Sequence, residues 1–414
     1  MLEQIEGSLG VAKAVALCRP GVVCAYPISP QTHIVENVGK FVKNGTLKDC
    51  DFLNVESEFS AISVAIGSEV GGARTYTATA SQGLLYMTEG VYSASGLGLP
   101  IVMTVASRAI GGPINIWNDH SDSLSQRDSG WLQLFCESNQ DAVDTHIMAF
   151  KIAEEVGLPV MVCMDGFVLT HAFERLDIPS QETVDKFLPE YQPREYLTPK
   201  EPISIGAMVG PEAFTEVRFL QQRKMAKALK VIEKVTKEYR DLTGSKSGGL
   251  LDCYNCENAD LKLVIMGSTV GTAKDEIDRL KSEGINVGII SLKSFRPFPY
   301  EAMAKAIDDT KQVICLERAF SFGARGIVCP EVKRAMEGKN CDVKTVVAGL
   351  GGRPIFGTTI RGIVKDALAG KFTEEFTWFD VNADVLNSYT DKTEGVTFKN
   401  GPIAQSVLEN SVKD

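Results

Sequence analysis

Residues 99–113 read Leu99-Pro100-Ile101-Val102-Met103-Thr104-Val105-Ala106-Ser107-Arg108-Ala109-Ile110-Gly111-Gly112-Pro113. Proline precedes and a glycine pair follows a run, 101–106, that has no polar face. Such a run is a strand buried on both sides. Toward the N-terminus, 74–80 is a β-branched strand and 59–70 a helix of small residues. Val22-Val23-Cys24-Ala25-Tyr26 is a short apolar strand stopped by Pro27 and Pro30. Toward the C-terminus, 160–164 is another buried strand. Continuous apolar strands separated by helices predict an α/β fold with a doubly wound parallel sheet.

The rest of the chain is organised around this sheet. The first residues, 1–17, read as a helix. Residues 186–213 carry Pro189, Pro193, Pro199, Pro202 and Pro211 and form an arm without regular structure. A charged helix follows over 213–242, with Phe219, Leu229, Ile232 and Val235 as its apolar residues, and then a flexible link, 244–249. A second α/β unit begins with a strand at 261–266. Its helix has Ser268 or Thr269 as N-cap and buries Val270, Ala273, Ile277 and Leu280. Further strands fall at 285–292, 312–316 and 343–348. The expected domains are therefore 1–245 and 255–360, with an extended tail over 361–414. Gly267-Ser268-Thr269-Val270-Gly271 lacks both a GxGxxG pattern and a phosphate-loop lysine, so it reads as a tight turn.

Lysine and arginine number 43 against 53 aspartate and glutamate, a net charge of −10. That balance disfavours nucleic-acid binding, where the phosphate backbone rewards a basic face. No apolar stretch approaches the roughly 18 residues of a membrane span. The acidic start does not resemble a signal peptide, so a cytoplasmic location is expected. Of the 10 cysteines, Cys253 and Cys256 alone have close spacing. One such pair holds neither zinc nor an iron–sulfur cluster by itself.

Four segments lie at strand ends or helix starts, where open α/β sheets bind ligands. They are Tyr26-Pro27-Ile28-Ser29-Pro30-Gln31-Thr32, Val55-Glu56-Ser57-Glu58-Phe59, Thr79-Ala80-Ser81-Gln82-Gly83 and Val105-Ala106-Ser107-Arg108. Prolines stiffen the turn that presents Ser29, and an arginine at Arg108 can grip a carboxylate through parallel hydrogen bonds. Taken singly, each has an ordinary structural explanation as a cap, a solvated acid, a turn or an ion pair.

In this order and spacing the segments resemble the alpha subunit of the pyruvate:ferredoxin oxidoreductase family. Trp117-Asn118-Asp119-His120-Ser121-Asp122-Ser123, Phe295-Arg296-Pro297-Phe298-Pro299 and Gly323-Ala324-Arg325-Gly326 extend the likeness. The resemblance implies a thiamine-diphosphate pyrimidine-binding domain followed by a transketolase C-terminal-like α/β domain. It implies that Glu58 activates the aminopyrimidine ring, with Glu56 as the competing register. It assigns Ser29 and Arg108 to the substrate, and Tyr26, Pro27, Ile28, Ser81 and Gln82 to the cofactor.

The implied reaction is oxidative decarboxylation of a 2-oxoacid, with coenzyme A as acyl acceptor and electrons passing to ferredoxin. The Gly-Asp-Gly run that holds magnesium and diphosphate is missing, Met164-Asp165-Gly166 being the nearest approach. A beta subunit is therefore expected to carry the diphosphate, Mg2+ and an iron–sulfur cluster, beside gamma and ferredoxin-like delta subunits. No metal is expected on this chain.

Pyruvate is the default substrate. Ser29 and the Gly111-Gly112 pair trim bulk and leave room for phenylglyoxylate or a branched-chain 2-oxoacid, with NAD as another acceptor. A non-catalytic transketolase-like scaffold is the alternative of a different class.

Overall fold

The computed structural model describes residues 2–308 and 310–390. Two sheets organise them. In the first, the strands run in the order Ser294–Arg296, Leu132–Phe135, Val160–Asp165, Val102–Ser107, Thr75–Thr79, Val22–Ala25, Asp51–Asn54. All are parallel except Ser294–Arg296, which pairs antiparallel with Leu132–Phe135. The second sheet runs Phe376–Trp378, Asp342–Val347, Gln312–Glu317, Leu261–Ile265, Val287–Leu292, Leu251–Tyr254, with only the last strand antiparallel.

Alternation along each buried strand divides the core. Val160, Val162 and Met164 face the helices Gly7–Leu17, Asn139–Val156 and Phe214–Thr243. Met161 and Cys163 face the opposite way, into a cluster that also takes Val264, Ile290, Leu292 and Cys315 of the second sheet. The two sheets thus share one apolar core, as a period-two strand buried on both faces requires. All ten cysteines are free. Among the described residues no helix is long and apolar enough to cross a membrane.

A buried polar knot also joins the halves. Asp165, at the end of its strand, accepts from His120 Nε2 at 2.8 Å, Ser268 N at 2.9 Å and Arg318 Nη1 at 3.0 Å. Ser268 Oγ donates to the same carboxylate. Burial works against the charge of Asp165, but His120, Arg318 and Ser268 outweigh it and hold the carboxyl well below the usual range. Ser268 therefore does not cap the helix Thr269–Ser282 with its side chain, as the sequence had suggested; its hydroxyl is taken by the neighbouring sheet.

Three further expectations are corrected. Residues 2–6 form a strand, Leu2–Glu6, paired antiparallel with Phe173–Asp177, and the helix starts at Gly7. The link 244–249 is tied down: Ser245 and Ser247 hydroxyls each donate to Asp144 Oδ2 at 2.7 Å, and Gly248 N donates to Asp141 Oδ1 at 2.9 Å. Buried carboxylates need donors, and this segment supplies them.

The tail expected from position 361 begins inside the helix Gly357–Leu368. That helix buries Ile360, Ile363, Val364 and Ala367 against the second sheet, and Phe376–Trp378 then adds an edge strand. The remainder of the expected tail, 391–414, lies outside the described residues. In the charged helix Phe214–Thr243, Ala228, Val231, Ile232, Val235 and Tyr239 are buried, while Phe219 is exposed.

Candidate active site

The four sequence segments converge because their strands are neighbours. Val102–Ser107, Thr75–Thr79, Val22–Ala25 and Asp51–Asn54 lie side by side and parallel. Their carboxyl ends form one edge, where a doubly wound sheet opens to ligand.

Glu58 is the first residue of the helix Glu58–Val70, capped by Ser57, whose side chain accepts from Ser60 N at 3.2 Å. Its side chain folds inward, leaving the residue 8% exposed, whereas Glu56 is exposed and accepts from Ser60 Oγ. Gly83 makes that burial possible: a Cβ there would stand 2.6 Å from both Glu58 Oε1 and Thr79 Oγ1. Thr79 Oγ1 and Ser107 Oγ are buried without a hydrogen-bond partner. Among the described residues the Glu58 carboxylate has no hydrogen-bond or ion-pair partner either. A largely buried acid is costly unless a donor meets it, so this arrangement suits an incoming donor.

Arg108 is 6% exposed and braced by backbone. Its Nη1 donates to Ser29 O at 2.8 Å and its Nε to Asn115 O at 3.1 Å, so the loops 26–31 and 108–118 close on each other. Burial lowers its pKa from the ordinary guanidinium value, with Asp122 acting in the opposite sense. Nη2 has no partner among the described residues and remains available. Ser29 itself is exposed; its carbonyl, not its hydroxyl, takes the arginine. Tyr26 and Pro27 are exposed and Ile28 half-buried. The buried Gln31 fastens this loop to the sheet, donating to Ala78 O at 2.6 Å.

Ser81 takes a positive φ of 49°, and its hydroxyl donates to Ala109 O. Gln82 reaches Gly111, where a Cβ would lie 1.8 Å from Gln82 Nε2. Gly111 therefore does not enlarge the pocket, contrary to the sequence reading; its missing side chain is the space the Gln82 amide fills. Gly112, at φ 106°, has no atom near its absent Cβ and is needed for backbone conformation.

One residue links these parts; the sequence places it in a segment of family likeness without assigning it a role. Asp122 is fully buried, and its Oδ2 accepts from both Ser81 N at 2.8 Å and Arg108 N at 2.9 Å. Burial pushes its carboxyl up to about 7, against the pull of the Ser81, Arg108 and Ser123 amides. Gln31 was equally silent, being one polar residue in a turn.

The second half buttresses the arginine loop. Asn115 Nδ2 donates to Gly351 O at 3.1 Å, and Gly351 N donates to Asp119 Oδ2 at 3.1 Å.

Residues 13–237 match the family profile described as pyruvate flavodoxin/ferredoxin oxidoreductase, thiamine diP-bdg. Residues 259–360 match pyruvate:ferredoxin oxidoreductase core domain II. The chain belongs to the pyruvate:ferredoxin oxidoreductase family. Among relatives in this family, pyruvate synthase subunit PorA of Methanosarcina barkeri is 42% identical over 92% of this chain and 97% of that protein. PorA of Methanocaldococcus jannaschii is 46% identical over 87% and 93%. Ketoisovalerate oxidoreductase subunit VorA of Pyrococcus horikoshii is 39% identical over 91% and 97%.

The fold is also that of more distant solved structures. A 2-oxoglutarate:ferredoxin oxidoreductase from Magnetococcus marinus superposes with a TM-score of 0.65 at 20% identity, covering 88% of this chain and 65% of that one. A split-gene transketolase superposes with a TM-score of 0.53 at 14% identity, over 89% of this chain and 99% of that one. The expected α/β architecture, a thiamine-diphosphate-binding half followed by a transketolase-like half, is the architecture this oxidoreductase family chain has.

Proposed function

We propose that this chain is the alpha subunit of a cytoplasmic, multi-subunit 2-oxoacid:ferredoxin oxidoreductase. It would convert pyruvate to acetyl-CoA and carbon dioxide with partner subunits, the electrons passing to ferredoxin. One observation carries the reading: Glu58, 8% exposed and with no carboxylate partner among the described residues, stands at the same sheet edge as a braced guanidinium with a free Nη2.

The residues present fit half of a thiamine diphosphate site. Glu58, packed on Gly83 beside the unpartnered Thr79 hydroxyl, would meet the aminopyrimidine ring. Tyr26, Pro27, Ile28, Ser81 and Gln82 would line it. The cofactor, when bound, supplies the nucleophilic carbon and the electron sink for decarboxylation. Glu58 would hold the ring by a charge-assisted hydrogen bond and would keep a proton in place on the facing nitrogen. Arg108 anchors the substrate carboxylate through Nη2, and Ser29 offers a hydroxyl to the same substrate. Asp122 positions Arg108 and Ser81 through their backbone amides without touching substrate.

The diphosphate half does not fit this chain. Asp165, its nearest acid to a metal-binding run, is consumed by His120, Ser268 and Arg318. A beta subunit would hold diphosphate, Mg2+ and an iron–sulfur cluster, with gamma and ferredoxin-like delta subunits completing the electron path.

Replacing Arg108 by methionine tests the substrate assignment in the purified complex, assayed by viologen reduction with pyruvate and coenzyme A. A charge-assisted contact contributes about 1.5–3 kcal/mol, so kcat/KM falls by about 10- to 150-fold, mainly through KM. An unchanged KM would remove the arginine from the substrate site.

A bulkier 2-oxoacid is the second reading, favoured by the similarity to a VorA subunit. Gln82 occupies the space beside Gly111, so only Ser29 trims bulk for a larger substrate. One methyl discriminates by only about 1 kcal/mol. The ratio of kcat/KM for pyruvate against branched-chain 2-oxoacids and phenylglyoxylate decides between them. Pyruvate is expected to lead, and the reverse order supports the second reading.

A further inference from the structure

Glu6, His33 and His171 each bring one ligand atom to within 4.8 Å of the others. They come from separate places: the end of the strand Leu2–Glu6, the first turn of the helix Thr32–Lys43, and the turn after the strand Val160–Asp165. The backbone, not the cluster, holds these places together. Gly7 N donates to Ala172 O at 3.0 Å and Ser8 N to Thr170 O at 2.9 Å. Gly166 is so close to Pro30 that a Cβ would lie 2.6 Å from Pro30 Cγ.

The side chains already meet in pairs. His33 Nδ1 lies 2.8 Å from Glu6 Oε1. The His33 and His171 rings have centroids 4.7 Å apart, and Phe167 packs on His171 at 4.8 Å. Thr170 Oγ1 accepts from Phe167 N at 2.8 Å and sits 2.7 Å from His171 Nδ1. With Nδ1–H donating to that oxygen, the lone pair of His171 is on Nε2. An outer hydrogen bond that fixes ring and tautomer in this way is the usual support of a metal-binding histidine.

We infer that Glu6, His33 and His171 form a divalent-cation site of the zinc class, separate from the reaction centre. Two imidazoles and one carboxylate are the borderline donor set that suits Zn2+, whereas Mg2+ and Ca2+ take oxygen donors. Donors on a tetrahedral zinc lie about 3.3 Å apart. The 4.8 Å spacing closes by rotation of the exposed His33 and the half-buried Glu6 toward His171, which Phe167 and Thr170 hold in place. The exposure of His33 admits the ion and leaves a coordination position for water. Bound there, the cation would clamp the first strand, the start of the helix after the Ser29 loop, and the turn behind Pro30. No local pattern marks it, because a strand end, a helix start and a turn distant in sequence supply the ligands.

The test uses the purified complex, stripped of loosely held metal on a chelating resin and supplied again with Mg2+ and thiamine diphosphate. It is then equilibrated with Zn2+ at buffered micromolar concentration, and zinc is counted by mass spectrometry. Wild type is expected to hold one zinc per chain that the His33→Ala/His171→Ala double variant lacks, and its melting temperature rises with zinc while that of the variant does not. Glu6→Gln can still accept the hydrogen bond from His33 but weakens zinc binding about 10-fold or more, and it decides the matter if the double variant fails to assemble. Equal zinc on wild type and variants, or none on wild type, overturns the inference.

Discussion

Replacing Glu58 by glutamine lowers 2-oxoacid turnover of the assembled complex by about 10²- to 10⁴-fold, the span over which a positioned acid–base group contributes. Glutamine matches glutamate in shape, so the close approach to Gly83 survives and the helix Glu58–Val70 keeps its packing. The helix start loses a favourable charge, which costs about 0.3–1 kcal/mol. That is too little to unfold the chain or release its partners. Viologen reduction by the variant, beside a size-exclusion profile, separates chemistry from assembly. Glu56→Gln serves as the control, because that carboxylate is exposed and, among the described residues, engages only Ser60 and its own backbone. A scaffold subunit would show full turnover in both variants, and a loss in Glu56→Gln with turnover kept in Glu58→Gln would move the assignment to the other register.

Asp165→Asn is expected to destabilise the chain by about 3–5 kcal/mol, the cost of removing one partner from a buried charge pair. Arg318 would keep its charge, buried, with its Nε already lacking a partner. Ser268 and His120 would lose the charged acceptor that they share. The pH dependence follows from the direction of the shift. The folded-state pKa of Asp165 is depressed, so its contribution is present above the unfolded value of ~3.9 and fades as pH falls below it. Melting temperatures measured from pH 3 to 7 should therefore show wild type well above the variant near neutrality. The gap should begin to narrow below about pH 4. A gap that is absent at neutral pH would mean that the knot does not fasten the two sheets.

Much of the fold was readable from pattern. The run 101–106 and its counterparts at 22–26 and 160–164 mark parallel strands because only a sheet covered on both faces tolerates side chains without a polar alternation. By contrast, 74–80 alternates threonine with apolar residues, and its burial on both faces came from the tertiary structure. Ile360, Ile363, Val364 and Ala367 have a helical spacing too, so the helix across position 361 is also written in the pattern. The strand Leu2–Glu6 could not be read locally: its partner, Phe173–Asp177, lies far along the chain. Ser268 misled for a related reason, since its hydroxyl answers to a carboxylate on the other sheet rather than to its own helix.

The candidate site divides in the same way. The sequence by itself determined the chemistry available: which acids, which arginine, which glycines, and in what order they occur along adjacent crossovers of a doubly wound sheet. Tertiary structure alone decided which glutamate is buried, that Gly111 makes room for Gln82, and that Asp122 ties Ser81 to Arg108. It also decided that Asp165 serves the join between the sheets. The reason is physical: burial, close approach and hydrogen bonding are properties of pairs of atoms. Here the paired atoms belong to residues that the chain brings together only once both sheets have formed.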